Sequence, residues 1–394
     1  MASSQRPAIV ILGASARALA RSAARAGWAV HAADLFGDVD LVAAAVASRR
    51  VTHYPDALVA AAASFPPAAW LYGGALENHP DLIDTIAAVR PLAGNGGAAV
   101  RRVRDPALLG AALRAAGLRF PETHSTPVGL PTDGSFLVKP RASAGGRGIA
   151  QWHGPDSGAE PAAARVWQRF VDGEPLAAAY LLQEGRAILL AVSRQFVGEP
   201  WCHARPFAYC GSVAVAVEQL PDTTRDQLAR LGALLAETFG LVGLVGVDLV
   251  VDAAGDIAPV EVNPRPTASM ELVERATGES IAALHLGACG FASPATVSAN
   301  SRADACWTKA VLFAPCDVAV DDRLLDAVAA LADGWTIADG WPAIADIPQP
   351  GQTIDAGRPV LTIFAVAAAP EGCRQRLMHR VETLSALIAP ALPA

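Results

Sequence analysis

Residues 245–266 of this 394-residue chain, VGVDLVVDAAGDIAPVEVNPRP, constrain its architecture most. Two apolar runs, 245–252 and 257–262, flank a turn at Ala253-Ala254-Gly255, the pattern of two paired strands. Asp248 sits inside the first run, where a carboxylate is costly unless it is paired or metal-bound. Glu261 and Asn263 lie two apart and so face the same side of the second strand. In a hairpin the three side chains can converge. Three oxygen-bearing groups suit magnesium, a hard cation that also takes phosphate oxygens and water. The competing reading is a turn-flanking carboxylate or an ion pair with Arg265. The joint presence of acid, amide and arginine favours the metal, and it places Arg265 beside that metal, able to hold a carboxylate or an oxyanion.

A second element lies upstream. Phe136-Leu137-Val138-Lys139-Pro140 reads as an apolar strand ending in a cation, 143–148 (SAGGRG) as a glycine-rich loop, and 149–152 as the returning strand. Backbone N–H groups of such a loop can wrap phosphate oxygens because no Cβ blocks approach. Lys139 adds a point charge. The loop is not a Walker A sequence, since GK[ST] is absent. Only two of the 31 basic residues are lysines, Lys139 and Lys309, so a lysine here marks a place where a planar guanidinium does not serve. Residues 166–171 (VWQRFV) read as a further strand, closed by Asp172-Gly173-Glu174; its backbone and Glu174 would suit an adenine edge and a ribose hydroxyl.

The N-terminal third has a different texture. A strand at 7–12, a glycine turn from Gly13 to Arg17, an alanine-rich helix to about Gly27 and a strand at 28–33 make a βαβ unit and predict a parallel sheet. The turn GASARA lacks the full GxGxxG pattern of dinucleotide sites, which disfavours an oxidoreductase. A strand at 69–72 is followed by Gly73, Gly74, Glu77, Asn78 and His79, polar residues where open α/β sheets bind ligands. They either cap the helix starting near Pro80 or hold a substrate. A helix at 107–116, Gly117 and Pro121 read as a boundary. An amphipathic helix at 221–239 precedes the acidic hairpin, and strands near 308–314 and 359–366 follow it.

Composition narrows the function classes. A hydrophobic content of 52% with 18% charged residues is that of a globular chain of two or three domains. A net charge of −7 argues against general nucleic-acid binding. No apolar stretch reaches the length of a membrane span, and the longest, 241–251, contains Asp248. The N-terminus lacks a signal-peptide core, so a cytoplasmic location is expected. The six cysteines form no CxxC pair and no HExxH accompanies them, against zinc or a disulfide framework.

At these residues the chain resembles the ATP-grasp enzymes, over roughly 1–370. VKPRASAGGRGI resembles the glycine-rich lid of the biotin-carboxylase type, and the resemblance implies nucleotide contacts from Lys139, Ser143, Gly145, Gly146 and Arg147. It further implies adenine contacts from Gln168, Phe170 and Val171, a ribose contact from Glu174, and magnesium on Asp248, Glu261 and Asn263, with Asp248 and Glu261 also serving ATP. Arg265 matches the arginine after the asparagine-proline pair, and with Lys139 is expected to be catalytic. Ser15, Glu77, Asn78 and Arg265 are the expected substrate contacts. The implied fold is α/β and α+β: a Rossmann-like pre-ATP-grasp domain (1–100), an ATP-grasp region (101–290) with its lid at about 125–200 and metal-binding strands at about 240–265, and a C-terminal β-rich subdomain (291–394). The implied cofactors are ATP and Mg2+, which Mn2+ can replace. The implied partners are a small carboxylate and an amine, with no nucleic acid or membrane; a homodimer is compatible. One departure stands out. The family's second lysine, in an aspartate-lysine pair entering the central subdomain, is replaced by the stretch Arg104-Asp105-Pro106, where Arg101, Arg102 or Arg104 could substitute. There is no biotin-attachment motif.

In more detail GGALENHP, EVNPRPTASMEL and DIPQPGQTIDAGRPVLTIFA resemble the ATP-grasp carboligases encoded with tetrahydromethanopterin and methanofuran pathway genes. That implies ligation of glutamate to tyramine or tyrosine in methylofuran synthesis through an acyl phosphate. The rivals are a bicarbonate-using carboxylase and a nucleotide-binding sensor without turnover.

Overall fold

The computed structural model describes residues 6–154, 164–293, 305–335 and 340–388. The chain opens with strands β1 (Ala8–Leu12), β2 (Ala29–Asp34), β3 (Ala47–Arg50) and β4 (Ala69–Tyr72), which form a four-stranded parallel sheet in the order β3-β2-β1-β4. Helices α1 (Arg17–Arg25), α2 (Val39–Ala44), α3 (Ala57–Ala63) and α4 (Pro80–Ala87) connect or follow them. The sheet is buried on both faces, as its continuous apolar strands require.

Helices α5 (Gly97–Val103) and α6 (Pro106–Ala115) follow. The joint between them is two residues long. Asp105 precedes Pro106, is held extended, and caps α6 by accepting from the Ala107 and Leu108 N–H groups. A small antiparallel sheet comes next: β5 (Thr123–His124), β6 (Phe136–Pro140), β7 (Ala150–Gln151) and β8 (Arg165–Arg169), in the order β5-β8-β6-β7. Phe136, Trp152 and Trp167 form its own small core. The strand expected over 166–171 therefore ends at Arg169, and Phe170 and Val171 lie beyond it.

The centre of the molecule is one eight-stranded antiparallel sheet. It contains β9 (Glu174–Gln183), β10 (Arg186–Val197), β11 (Tyr209–Val215), β12 (Gly243–Val251), β13 (Ile257–Asn263) and β14 (Cys306–Phe313). A two-stranded ribbon pairs β15 (Val318–Ala319) with β17 (Thr353–Ile354). Strands β16 (Ile344–Ala345) and β18 (Pro359–Ala367) complete the large sheet in the order β13-β12-β9-β10-β11-β14-β18-β16. The C-terminal strands thus continue the sheet that carries the acidic hairpin. Helix α7 (Asp222–Glu237) packs its apolar side on β9, β10 and β13; α8 (Met270–Thr277) packs on β14, β10 and β11, and α9 (Ile281–Ala288) lies between β12 and α1 of the N-terminal unit. Helices α10 (Asp322–Gly334) and α11 (Pro370–Ile388) cover β14 and β18. Among the described residues no helix is long and apolar enough to cross a membrane.

A buried charge cluster fastens the N-terminal sheet to the large one. Arg17, 2% exposed, donates from Nε to Asp346 at 2.7 Å and forms an ion pair with Glu271, which also accepts from Lys309 Nζ at 2.9 Å. Asp40 accepts the backbone N–H groups of Asp346 and Ile347, each at 3.0 Å. Lys309, the second of the two lysines, is therefore part of this fastening.

Candidate active site

The acidic hairpin forms as its sequence predicts. Asp248 on β12 stands directly opposite Glu261 on β13, and a β-bulge follows between Asp248 and Leu249. Asn263 lies two residues along the same face and donates from Nδ2 to Asp248 Oδ2 at 2.9 Å. Gln195, on β10, donates to the other oxygen, Oδ1, at 2.7 Å. Burial first, and then the charge of Glu261, push the Asp248 carboxyl up to about 6. A buried acid whose charged form is disfavoured in this way gains most from a cation. The oxygen set is hard and closely spaced, which fits magnesium.

Lys139, near the end of β6, faces this hairpin across a cleft. Burial pulls its ammonium below the ordinary value, and the charges of Glu261 and Asp248 oppose that shift. Its Nζ donates to Gln168 Oε1 at 2.6 Å, and Gln168 donates onward to Thr123 Oγ1 at 3.2 Å. The cleft, about 130 Å³, is lined by Lys139, Ser143, Gln168, Glu261 and Arg104, with apolar walls that include Ile149 and Val262. Cations at one side and apolar walls at the other fit a nucleotide.

The hairpin of glycines closes one end. Gly145, Gly146 and Gly148 all have positive φ. A Cβ on Gly146 would overlap the Phe207 carbonyl oxygen, so only glycine permits this approach. Tyr209 N donates to Gly145 O at 3.2 Å. Arg147 is exposed at the tip. On the hinge side, the Phe170 N–H is already donated to Ser135 O at 2.9 Å and its ring is exposed, so among the expected adenine contacts the backbone of Val171 is the freer one. Glu174 forms an ion pair with Arg194 and lines a second depression together with Gln195.

Three features escape sequence reasoning. First, of the three candidate arginines only Arg104 enters the cleft. Arg101 pairs with Asp81 and Asp84, and Arg102 donates to Thr238 O. Arg104, at the α5–α6 joint, donates to Glu261 Oε1 and to Asn78 Oδ1, each at 2.9 Å. Second, Arg265 is not free: one of its Nη groups donates to Asn263 Oδ1 of the acidic hairpin at 3.2 Å, and its main partner is Glu77. Glu77 grips it through two hydrogen bonds, to Nε at 2.8 Å and to an Nη at 2.5 Å. Burial would raise the Glu77 carboxyl, but Arg265 outweighs it and holds it below the ordinary range. Third, Gln195 supports Asp248; nothing in the sequence singles it out, since Ser193 and Arg194 precede it in the same strand. Ser15 is exposed, and its turn packs against Gly73, whose missing Cβ permits the approach of the Ser15 carbonyl. The structure thus brings Lys139, Gln168, Asp248, Glu261, Asn263, Arg265, Glu77, Asn78 and the glycine hairpin together, and leaves Phe170, Glu174 and Ser15 at the periphery.

Residues 89–269 match the family model described as "ATP-grasp domain". No curated protein sequence matches the chain. Among solved structures, Rhizobium etli pyruvate carboxylase superposes with a TM-score of 0.70 at 16% identity, over 97% of this chain and 39% of that one; this chain spans well under half of that enzyme. L-amino acid ligase from Bacillus licheniformis gives 0.68 at 16% identity, covering 96% and 98% of the two chains. The biotin carboxylase domain of Hydrogenobacter thermophilus 2-oxoglutarate carboxylase, solved with MgADP and bicarbonate, gives 0.66 at 15%, covering 95% and 89%. Residues 89–269 are thus similar to ATP-grasp domains, and the chain is built on the ATP-grasp fold.

Proposed function

We propose that this protein is an ATP- and magnesium-dependent ligase that activates a carboxylate as an acyl phosphate and passes it to an amine. One observation carries the reading: Glu261 lines one cleft with Lys139, Arg104 and Ser143 of the glycine hairpin, and Asp248 and Asn263 adjoin Glu261 on the same acidic hairpin. Asp248, Glu261 and Asn263 would hold magnesium, which when bound would supply charge neutralisation at the phosphates. Lys139 and the hairpin amides orient those phosphates, and Arg104 stands in for the second lysine. Arg265, braced by Glu77, holds the substrate carboxylate in line with the γ-phosphorus. A carboxylate oxygen attacks that phosphorus and ADP leaves. The amine nitrogen then attacks the acyl carbon, phosphate departs, and the nitrogen gives up a proton. A closed hairpin limits loss to water. The turn bearing Glu77 and Asn78 lies on the substrate side, beside Arg265.

The finer reading is glutamate joined to tyramine or tyrosine, supported by the GGALENHP, EVNPRPTASMEL and DIPQPGQTIDAGRPVLTIFA segments. A screen of amino acids and amines for ADP release, with mass spectrometry of products, tests both levels. A glutamate–tyramine or glutamate–tyrosine adduct lighter by one water supports the whole proposal. Adducts from other pairs alone keep the ligase and reject that substrate. ADP release driven by bicarbonate without an amino acid points instead to a carboxylase, the reading that the bicarbonate in the 2-oxoglutarate carboxylase neighbour favours. ATP binding with no substrate-dependent ADP rejects catalysis.

A further inference from the structure

Asn78 is expected from sequence to touch substrate, yet both ends of its side chain are already committed. Its Nδ2 donates to Ser143 O of the glycine hairpin at 3.0 Å, and its Oδ1 accepts from Arg104 at 2.9 Å. Arg104 in turn donates to Glu261 at 2.9 Å. A continuous chain, Glu261–Arg104–Asn78–Ser143, therefore links the acidic hairpin to the glycine hairpin. The amide serves both partners because it donates from one end and accepts at the other, whereas an ionised carboxylate can only accept.

Asn78 is well placed for that task because its own position does not depend on the glycine hairpin. It ends a short 3-10 turn, Leu76–Asn78, entered through Ala75 in the left-handed region (φ 71°). Its neighbour Glu77 is buried and locked to Arg265. The glycine hairpin has little else to hold it. Among the described residues, Asn78 makes the one side-chain hydrogen bond that reaches residues 142–148; the Tyr209 N–H to Gly145 O bond and the packing of Gly146 on Phe207 are backbone contacts.

We infer that Asn78 is a positioning residue that tethers the glycine hairpin over the cleft, and that adjacent residues Glu77 and Asn78 make hairpin closure and the presentation of Arg265 one event. Its catalytic consequence rests on the ligase reading. With the tether cut, the acyl phosphate is exposed to water, so ADP formation continues while amide formation falls behind it.

The test uses the full chain with ADP and magnesium chloride. Asn78→Asp keeps the acceptor for Arg104 and removes the donor to Ser143, whereas Asn78→Ala removes both. Trypsin cleavage after the exposed Arg147 reports hairpin opening directly, with mass spectrometry assigning the fragment. Cleavage after the exposed Arg186, the first residue of β10 beside the β9–β10 turn, reports general loosening. We expect N78D to be cut after Arg147 at least about 5-fold faster than wild type, the factor expected for one ordinary hydrogen bond, with cleavage after Arg186 unchanged. N78A, which also removes the acceptor for Arg104, should be cut after Arg147 at least as fast as N78D. Wild-type cleavage at Arg147 in N78D overturns the tether, as does equal acceleration at both sites. With a productive substrate pair, N78D should raise the ADP-to-amide ratio, and an unchanged ratio overturns the coupling to catalysis. If proteolysis responds but no pair yields ADP in the wild type, the ligase reading fails and the tether stands.

Discussion

Replacing Glu77 by glutamine separates a substrate contact from a brace. The Glu77 side chain is 1% exposed and that of Arg265 11%, so water offers neither partner a substitute. E77Q keeps the shape but removes the charge and turns one acceptor into a donor facing the guanidinium. Hydrogen bonds to a charged group are worth about 1.5–3 kcal/mol each, and breaking a buried ion pair costs about 3–5 kcal/mol. Some relaxation puts E77Q at the lower end, about 3 kcal/mol. At roughly 2–4 °C per kcal/mol for a domain of this class, Tm should fall by about 6–12 °C in ligand-free thermal melts. Arg265→Met should cost a similar amount by stranding the carboxylate, and the double variant should recover at least about 2 kcal/mol of the summed loss. Arg265 holds Glu77 below its ordinary value, so the pair stabilises fully above the unfolded-state value and fades as pH falls through the lowered one. The gap between wild type and E77Q should therefore be full at pH 7 and narrow in acid. A Tm within about 1 °C of wild type, with weakened substrate binding, would refute the brace and return Glu77 to the substrate.

Asp248, pushed up to about 6, holds a proton that competes with a divalent cation. Calorimetric MgADP affinity should fall between pH 7.5 and 5.5 in the wild type and lose that dependence in D248N. Gly146→Ala forces a Cβ into the Phe207 carbonyl at a φ of +77°, so ADP affinity should drop about tenfold while Tm stays near wild type. Arg17→Met leaves Asp346 and Glu271 buried with less compensation and should cost about 3–5 kcal/mol in urea unfolding, with no change in ADP affinity if the cluster only fastens the two sheets. An unaltered urea midpoint would show that the cluster adds no net stability.

Much of the site's frame is written in short-range signals. The acidic hairpin, its turn at 253–255 and the opposition of Asp248 to Glu261 follow from alternation and strand pairing over some twenty residues. The strand–loop–strand around Lys139, the parallel N-terminal sheet and the helix Asp222–Glu237 are likewise local patterns. Boundaries erred where two elements meet, as at Phe170, because a strand ends where its partner does.

The sequence alone determined which segments are strands, where the glycines permit close approach, and which carboxylates must find a cation. Only the tertiary structure decided which partner each charge takes. Arg104 meets Glu261 across 157 positions of chain and Arg265 meets Glu77 across 188. It likewise merged the C-terminal strands into the sheet of the acidic hairpin and spent Lys309 on a buried fastening. A lone charged residue carries no periodicity. Its partner is set by proximity and loss of water, which exist only once three sheets have packed together.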